Sequence, residues 1–231
     1  MTPVLELSRI QKSYQSLRPL RLQSLTIAEG ERVAVAGLDA GAAEVLVNLV
    51  TGASLPDQGE VRVLGRATSD IVSGDAWLES LDRFGIVSPR GVLLDSATMA
   101  QNIALVFTLE IEPVPPDVLA RVEAIARECG IEQVDVMTGE VNAATRARVH
   151  LARAIALKPA LLVIEHPTLG IDDSERDALA RDVASVTERR RQAALIITQD
   201  ETFATASADR ALRLEPATGA LKPVGRGWFR K

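Results

Sequence analysis

The chain has 231 residues, is 47% hydrophobic and 25% charged, and carries a formal net charge of −5. That suits one large globular domain and argues against an electrostatic nucleic-acid binder. One cysteine and two histidines leave no internal disulfide and no Cys/His metal cluster, as expected of a reducing compartment. Residues 1–14 have neither the basic leader nor the apolar core of a signal peptide. No run approaches the ~18 uninterrupted apolar residues of a membrane span, so any work at a membrane is expected to go through a partner.

In chain order, Leu5 to Ile10 alternates apolar and polar residues as an edge strand does, and Leu20 to Ile27 repeats the pattern. Arg32 to Ala36 is a β-rich run ending in Gly37, and Ala42 to Leu49 predicts a helix that stops near Thr51-Gly52. Pro56 to Gly59 predicts a turn and Glu60 to Leu64 a strand. Phe84 to Val87 is a short apolar strand. Residues 96–130 are helical in pattern, broken by Pro113, Pro115 and Pro116, and place Cys129 on an apolar helix face. Asn142 to Leu157 predicts an amphipathic helix and Asp173 to Arg190 a long polar-faced one. Between and after them, Leu161 to Ile164 and Ala193 to Thr198 are wholly apolar strands. The basic run Arg189 to Arg191 reads as the solvated end of a helix.

Continuous apolar strands alternating with helices predict a parallel sheet covered on both faces. The alternating strands near the N-terminus predict an antiparallel piece. Residues 88–157 read as an inserted helical subdomain within one domain spanning residues 1–231.

A strand ending in Gly, then a small-residue loop, then a helix is the setting of a phosphate-binding loop. Residues 37–45 occupy that setting but fail its strict pattern. Ala42, Ala43 and Glu44 stand where the pattern has Gly, Lys and Ser or Thr. The surrounding segments carry the resemblance: residues 29–37, 47–52, 56–61, 146–154 and 161–172 together resemble the nucleotide-binding domain of ABC transporters. The resemblance covers roughly residues 4 to 215. It implies an α/β fold of the P-loop NTPase type: a mostly parallel sheet with helices on both faces, an N-terminal antiparallel β subdomain and an inserted helical subdomain.

The same resemblance assigns positions. It puts phosphate cradling on Gly37, Gly41, Ala42, Ala43, Glu44 and Val45, and adenine stacking on Tyr14. It puts the second carboxylate motif on Glu165 and His166, the switch position on Gln199 and the Q-loop glutamine position on Pro89. Asn142, Ala143 and Ala144 match the signature; Thr168, Gly170 and Asp172 match the loop that meets an opposing subunit. Hydrolysis needs a phosphate cradle, a metal ligand, a water-orienting base and a charge-stabilising group. Ala43 carries no charge, Glu44 brings a carboxylate toward a triphosphate, and Gln199 cannot carry a proton. Glu44 and Glu165 remain as weak Mg²⁺ ligands, and His166 as a poor candidate base.

The backbone N–H groups of the loop are expected to survive. ATP and Mg²⁺ are the implied cofactors, with binding in doubt. The implied role is a non-hydrolysing or impaired subunit, cytoplasmic and peripheral on the inner face of the membrane. It would pair with a competent or identical ABC subunit beneath an integral membrane permease. The alternatives are a scaffold that keeps the fold for protein binding, and an unconventional ATPase.

Overall fold

The computed structural model describes residues 3–225. Its strands are β1 (Leu5–Lys12), β2 (Leu20–Ile27), β3 (Arg32–Ala36), β4 (Gln58–Val63), β5 (Arg66–Ala67), β6 (Phe84–Val87), β7 (Leu161–Glu165), β8 (Ala193–Thr198), β9 (Arg210–Glu215) and β10 (Ala220–Pro223). Its helices are α1 (Ala40–Val50), α2 (Gly74–Leu81), α3 (Met99–Ala104), α4 (Pro116–Glu128), α5 (Ala143–Ile155), α6 (Asp173–Arg190) and α7 (Glu201–Ser207).

Two sheets form. A four-stranded antiparallel sheet has the order β2-β1-β4-β5, and a six-stranded sheet has the order β10-β9-β3-β8-β7-β6. In the second, β3 runs parallel to β8 and β9, and β7 parallel to β8 and β6. β1 is an interior strand, paired with β2 on one side and β4 on the other. The expected edge position was therefore wrong: alternation marks a strand with one face in the core, and says nothing about its neighbours.

Period-2 geometry splits the parallel strands between two cores. Ala34, Leu162, Ile164, Ala194 and Ile196 face a core built with α3 to α7. Val33, Val35, Val163, Leu195 and Ile197 face a second core built with α1 and the antiparallel sheet. That two-sided burial is why β7 and β8 read as unbroken apolar runs. Cys129 is fully buried, and burial pushes its thiol up to about 12, which leaves it inert.

The helix ends follow local chemistry. Asn142 caps α5, its Oδ1 accepting from Thr145 N–H at 2.9 Å. Thr98 and Gln101 form a reciprocal capping box on α3. α4 starts at Pro116, with proline tolerated in the first turn. The basic run that ends α6 is less solvated than its sequence suggests. Arg190 donates to Glu128 Oε2 at 2.7 Å and to the Ile155 carbonyl at 2.9 Å, while Arg189 donates to the Glu128 carbonyl at 2.8 Å.

The register brings the functional positions together. Ala36 pairs with Thr198, Glu165 with Ile197 and Val87 with Ile164. The segments after β3, β6, β7 and β8 therefore leave the sheet at one edge, the carboxyl ends of its parallel strands. Among the described residues, no helix is long and apolar enough to cross a membrane.

Candidate functional site

A cleft of about 800 Å³ opens at that edge. It gathers Gly41 and Glu44 from α1, Pro89 and Arg90 from the loop after β6, and Gln199 from the end of β8. Glu165, His166, Thr168 and Gly170 reach it from the end of β7. Eight positions assigned from sequence thus share one cavity. Tyr14, Gly37 and Ala42 line a neighbouring hollow of about 310 Å³ instead, with the Tyr14 ring beside Gly41. Ala43 is fully buried and Val45 half-buried, both in the core beneath α1.

The start of α1 is capped from within the chain. Gly37 makes the turn out of β3 at φ +90°, a conformation that favours glycine, and the Leu214 carbonyl lies only 3.2 Å from where a Cβ would sit. Asp39 then caps the helix: its Oδ1 accepts from Ala42 N–H at 2.8 Å, and its carbonyl accepts from Ala43 N–H at 2.9 Å. The expectation of free backbone donors is narrowed by one, the Ala42 N–H. A phosphate arriving here would meet the Asp39 carboxylate in its place, at the positive end of the helix dipole.

Glu165 is 1% exposed and is not a free carboxylate. Arg90 Nη1 and Nη2 donate in a fork to its Oε1 and Oε2 at 2.8 and 2.7 Å, and Ser88 Oγ donates to Oε2 at 2.8 Å. Arg90 Nη1 also lies 3.8 Å from Glu44 Oε2. Both carboxylates assigned to Mg²⁺ therefore share one guanidinium. A buried charge needs such a partner, and the bidentate geometry is the strongest available.

His166 sits at φ +43°, a left-handed conformation unusual for its type, and donates its N–H to the Ile197 carbonyl at 2.7 Å. Its Nε2 is buried without a hydrogen-bond partner among the described residues, so no bond orients it as a base. Gln199 is exposed. Asp200, which caps α7 through Phe203 N–H, lies 3.7 Å from Arg176. Arg176 also donates to the Ile171 carbonyl at 2.9 Å and pairs with Asp173, tying down the loop that holds Thr168, Gly170 and Asp172.

The signature-position residues stand apart from this cleft. Asn142 Nδ2 donates to Glu175 Oε1 at 2.8 Å, joining α5 to α6. Ala143 is half-buried and Ala144 fully buried in this chain's own core. Two arginines of α5 are also held by partners. Arg148 pairs with Asp182 at 2.8 Å, and Arg153 donates to the Val92 carbonyl at 2.7 Å.

A magnesium–nucleotide complex does not fit these residues. The Asp39 carboxylate sits on the first turn of α1 and takes the Ala42 N–H, the lysine position is a buried alanine, and an arginine stands between the two carboxylates. No group of three or more His, Cys, Asp or Glu side chains able to hold a metal occurs among the described residues. Two residues that matter most here, Asp39 and Arg90, were missed from sequence. Asp39 had a signal, since Asp just before a helix is a cap. Arg90 sits in a Ser88-Pro89-Arg90-Gly91 turn pattern, but nothing local shows its contact with a residue 75 positions away.

Comparison with known proteins bears on the fold and the family. Residues 20–169 match the family model described as ABC transporter. The Fe(3+) ions import ATP-binding protein FbpC of Serratia marcescens is 27% identical over 224 residues, covering 96% of this chain and 62% of that protein. The ABC transporter ATP-binding protein YxdL of Bacillus subtilis is 29% identical, covering 89% of this chain and 81% of that one. The methionine import ATP-binding protein MetN of Brucella abortus is 25% identical, over 98% and 60%. The chain thus spans about three fifths of the length of the two import proteins.

Among solved structures, a dimeric bacterial ABC transporter cassette superposes with TM-score 0.76 at 19% identity, over 96% of this chain and 99% of that one. A cbiO1 from Clostridium perfringens, part of the cbiONQ ABC transporter complex, gives 0.79 at 19% identity, over 96% and 88%. At that identity the likeness is one of fold.

Proposed function

Because this chain belongs to the ABC transporter family, we propose that it is a nucleotide-binding-domain subunit of an ABC-type transporter complex that does not itself hydrolyse ATP. One observation carries the reading. The cleft in which the family's chemistry is expected holds Glu165 already paired with Arg90, beside a histidine with no orienting bond. The lysine position, Ala43, is buried below it. Phosphoryl transfer relies on positioning and charge stabilisation, and neither is available from these side chains.

In this reading the subunit lies on the inner, cytoplasmic face of the membrane and pairs with an ATPase-competent or identical subunit under a permease. Thr168, Gly170 and Asp172 would face the partner subunit. The import roles named for the FbpC and MetN relatives favour an importer. A scaffold that keeps the fold only for protein binding is the second reading, favoured by the burial of Ala144 at the signature position.

The test is ATP turnover by the purified chain with Mg²⁺, together with calorimetric nucleotide binding. No turnover is expected. Magnesium-dependent turnover abolished by His166→Ala would overturn the proposal and establish an unconventional ATPase. Co-purification with a membrane permease separates the subunit from the scaffold.

A further inference from the structure

The loop between β6 and α3 is held from two sides by this chain's own cations. Gly91 N–H donates to the Ser88 carbonyl at 2.9 Å, closing a turn with Pro89 and Arg90 at its centre. Proline at that first central position presets the turn. Ser88 Oγ accepts from Arg90 N–H at 3.2 Å while donating to Glu165, so turn and carboxylate form one network. The guanidinium of Arg90 completes it, joining the loop to the end of β7 through Glu165 and to α1 through Glu44.

On the other side, α5 presents Arg146, His150 and Arg153 at i, i+4 and i+7, one face of a helix. Arg153 donates to the Val92 carbonyl at 2.7 Å and Arg146 to Asp95 Oδ1 at 2.7 Å. The His150 ring lies 3.1 Å from where a Cβ of Gly91 would be, so any side chain there would press on the ring. Buried Asn102 adds a backbone-like bracket, accepting from Leu94 N–H at 2.8 Å and donating to its carbonyl at 2.9 Å. The loop also turns two apolar side chains outward beside the exposed Asp95: Val92 is 74% and Leu94 45% exposed.

Glu44 and Glu165 are the two carboxylates that the family resemblance offers to a divalent ion. Here their shared counter-charge is covalently attached, permanently cationic and unable to accept a hydrogen bond. A divalent cation entering between them would meet that like charge at contact distance.

We propose that Arg90 is a built-in replacement for a bound metal ion, which holds residues 88–95 in one position and keeps divalent cations out of the cleft. The inference rests on the family reading above and goes beyond loss of hydrolysis. Here the loop is tied by the chain's own fixed cation. The loop's position is then independent of nucleotide.

Hydrogen exchange of residues 88–95 in the full chain tests this, together with electron paramagnetic resonance using Mn²⁺ alone as the metal probe. The wild type is expected to show no bound Mn²⁺ and no change in exchange with millimolar Mg-ATP. Arg90→Gln is expected to raise exchange in this segment by about 10-fold or more, as local opening becomes easier. If that variant does not fold, Arg90→Gln with Glu165→Gln removes the clamp without leaving a buried charge, and its exchange is read the same way.

Bound Mn²⁺ in the wild type that is lost in Glu165→Gln would overturn the proposal, as would clamp-free variants that exchange at the wild-type rate. Turnover of ATP by the wild type sinks the functional proposal; wild-type exchange in the variants sinks this inference and leaves that one standing.

Discussion

The Arg90 guanidinium and the Glu165 carboxylate are 75 residues apart in sequence and meet through two parallel hydrogen bonds of 2.8 and 2.7 Å. Glu165 is 1% exposed while the Arg90 side chain keeps 44% of its surface. The pair is therefore a buried acid covered by a half-exposed cation, and its two members should respond differently to mutation.

Removing the cation alone strands a charge in the sheet. Arg90→Ala is expected to destabilise the fold by about 3–5 kcal/mol, the usual cost of breaking one side of a buried pair. Replacing both, as Arg90→Gln with Glu165→Gln, should cost less than the sum of the single changes. Chemical denaturation of the four proteins of this double-mutant cycle measures the coupling. Additive effects would show that the pair does not act as a unit.

Restoring the family's lysine should not restore the site. Ala43 is fully buried beneath α1, and its N–H is bonded to the Asp39 carbonyl. Ala43→Lys must place an ammonium in an apolar core or push α1 aside. We expect destabilisation of about 2–4 kcal/mol from overpacking and desolvation, with no gain in ATP binding by calorimetry. Tight binding in the variant would mean that α1 can shift by itself.

Acid should loosen the contact between α5 and the loop. Burial, then the neighbouring Arg153 and Arg146, lower the His150 imidazole from 6.5 to about 4. Between those values the unfolded chain binds more protons than the folded one, so stability falls as pH drops from about 6.5 to about 4 and levels off below. After discounting for the ring's partial exposure the loss is about 1–2 kcal/mol. His150→Gln should flatten this part of a melting-temperature profile. A profile that keeps its slope would assign the effect to another group.

Asn102 is fully buried and bonds Leu94 in both directions, with Thr138 Oγ1 accepting at 2.9 Å. Asn102→Leu would leave the Leu94 N–H and the Thr138 hydroxyl without this partner, each costing about 1–3 kcal/mol, while the Leu94 carbonyl keeps the Ala97 N–H. We expect a loss above about 3 kcal/mol by urea denaturation, with raised exchange at Leu94.

Much of the fold could be read without coordinates, and particular residues show why. The apolar run Leu161 to Ile164 can be satisfied only between two covered faces, so it marked an interior parallel strand. Asn142 marked a helix start because its side chain can bond the first free N–H groups. β9, β10, α2 and α7 were not recognised. Arg210 to Glu215 buries one residue and the eight-residue α2 buries none, so neither is a long core-forming segment.

Sequence alone determined the family, the order of the main strands and helices, and which family residue types are absent. Those properties depend on local periodicity and on identity at fixed spacings. Tertiary structure alone decided what fills the site in their place. β3, β6, β7 and β8 end at one edge of the sheet, and this carries Arg90 to Glu165 and Glu44 across gaps in sequence that no local pattern spans. The physical reason is that a buried carboxylate takes its counter-ion from whatever the fold brings within reach.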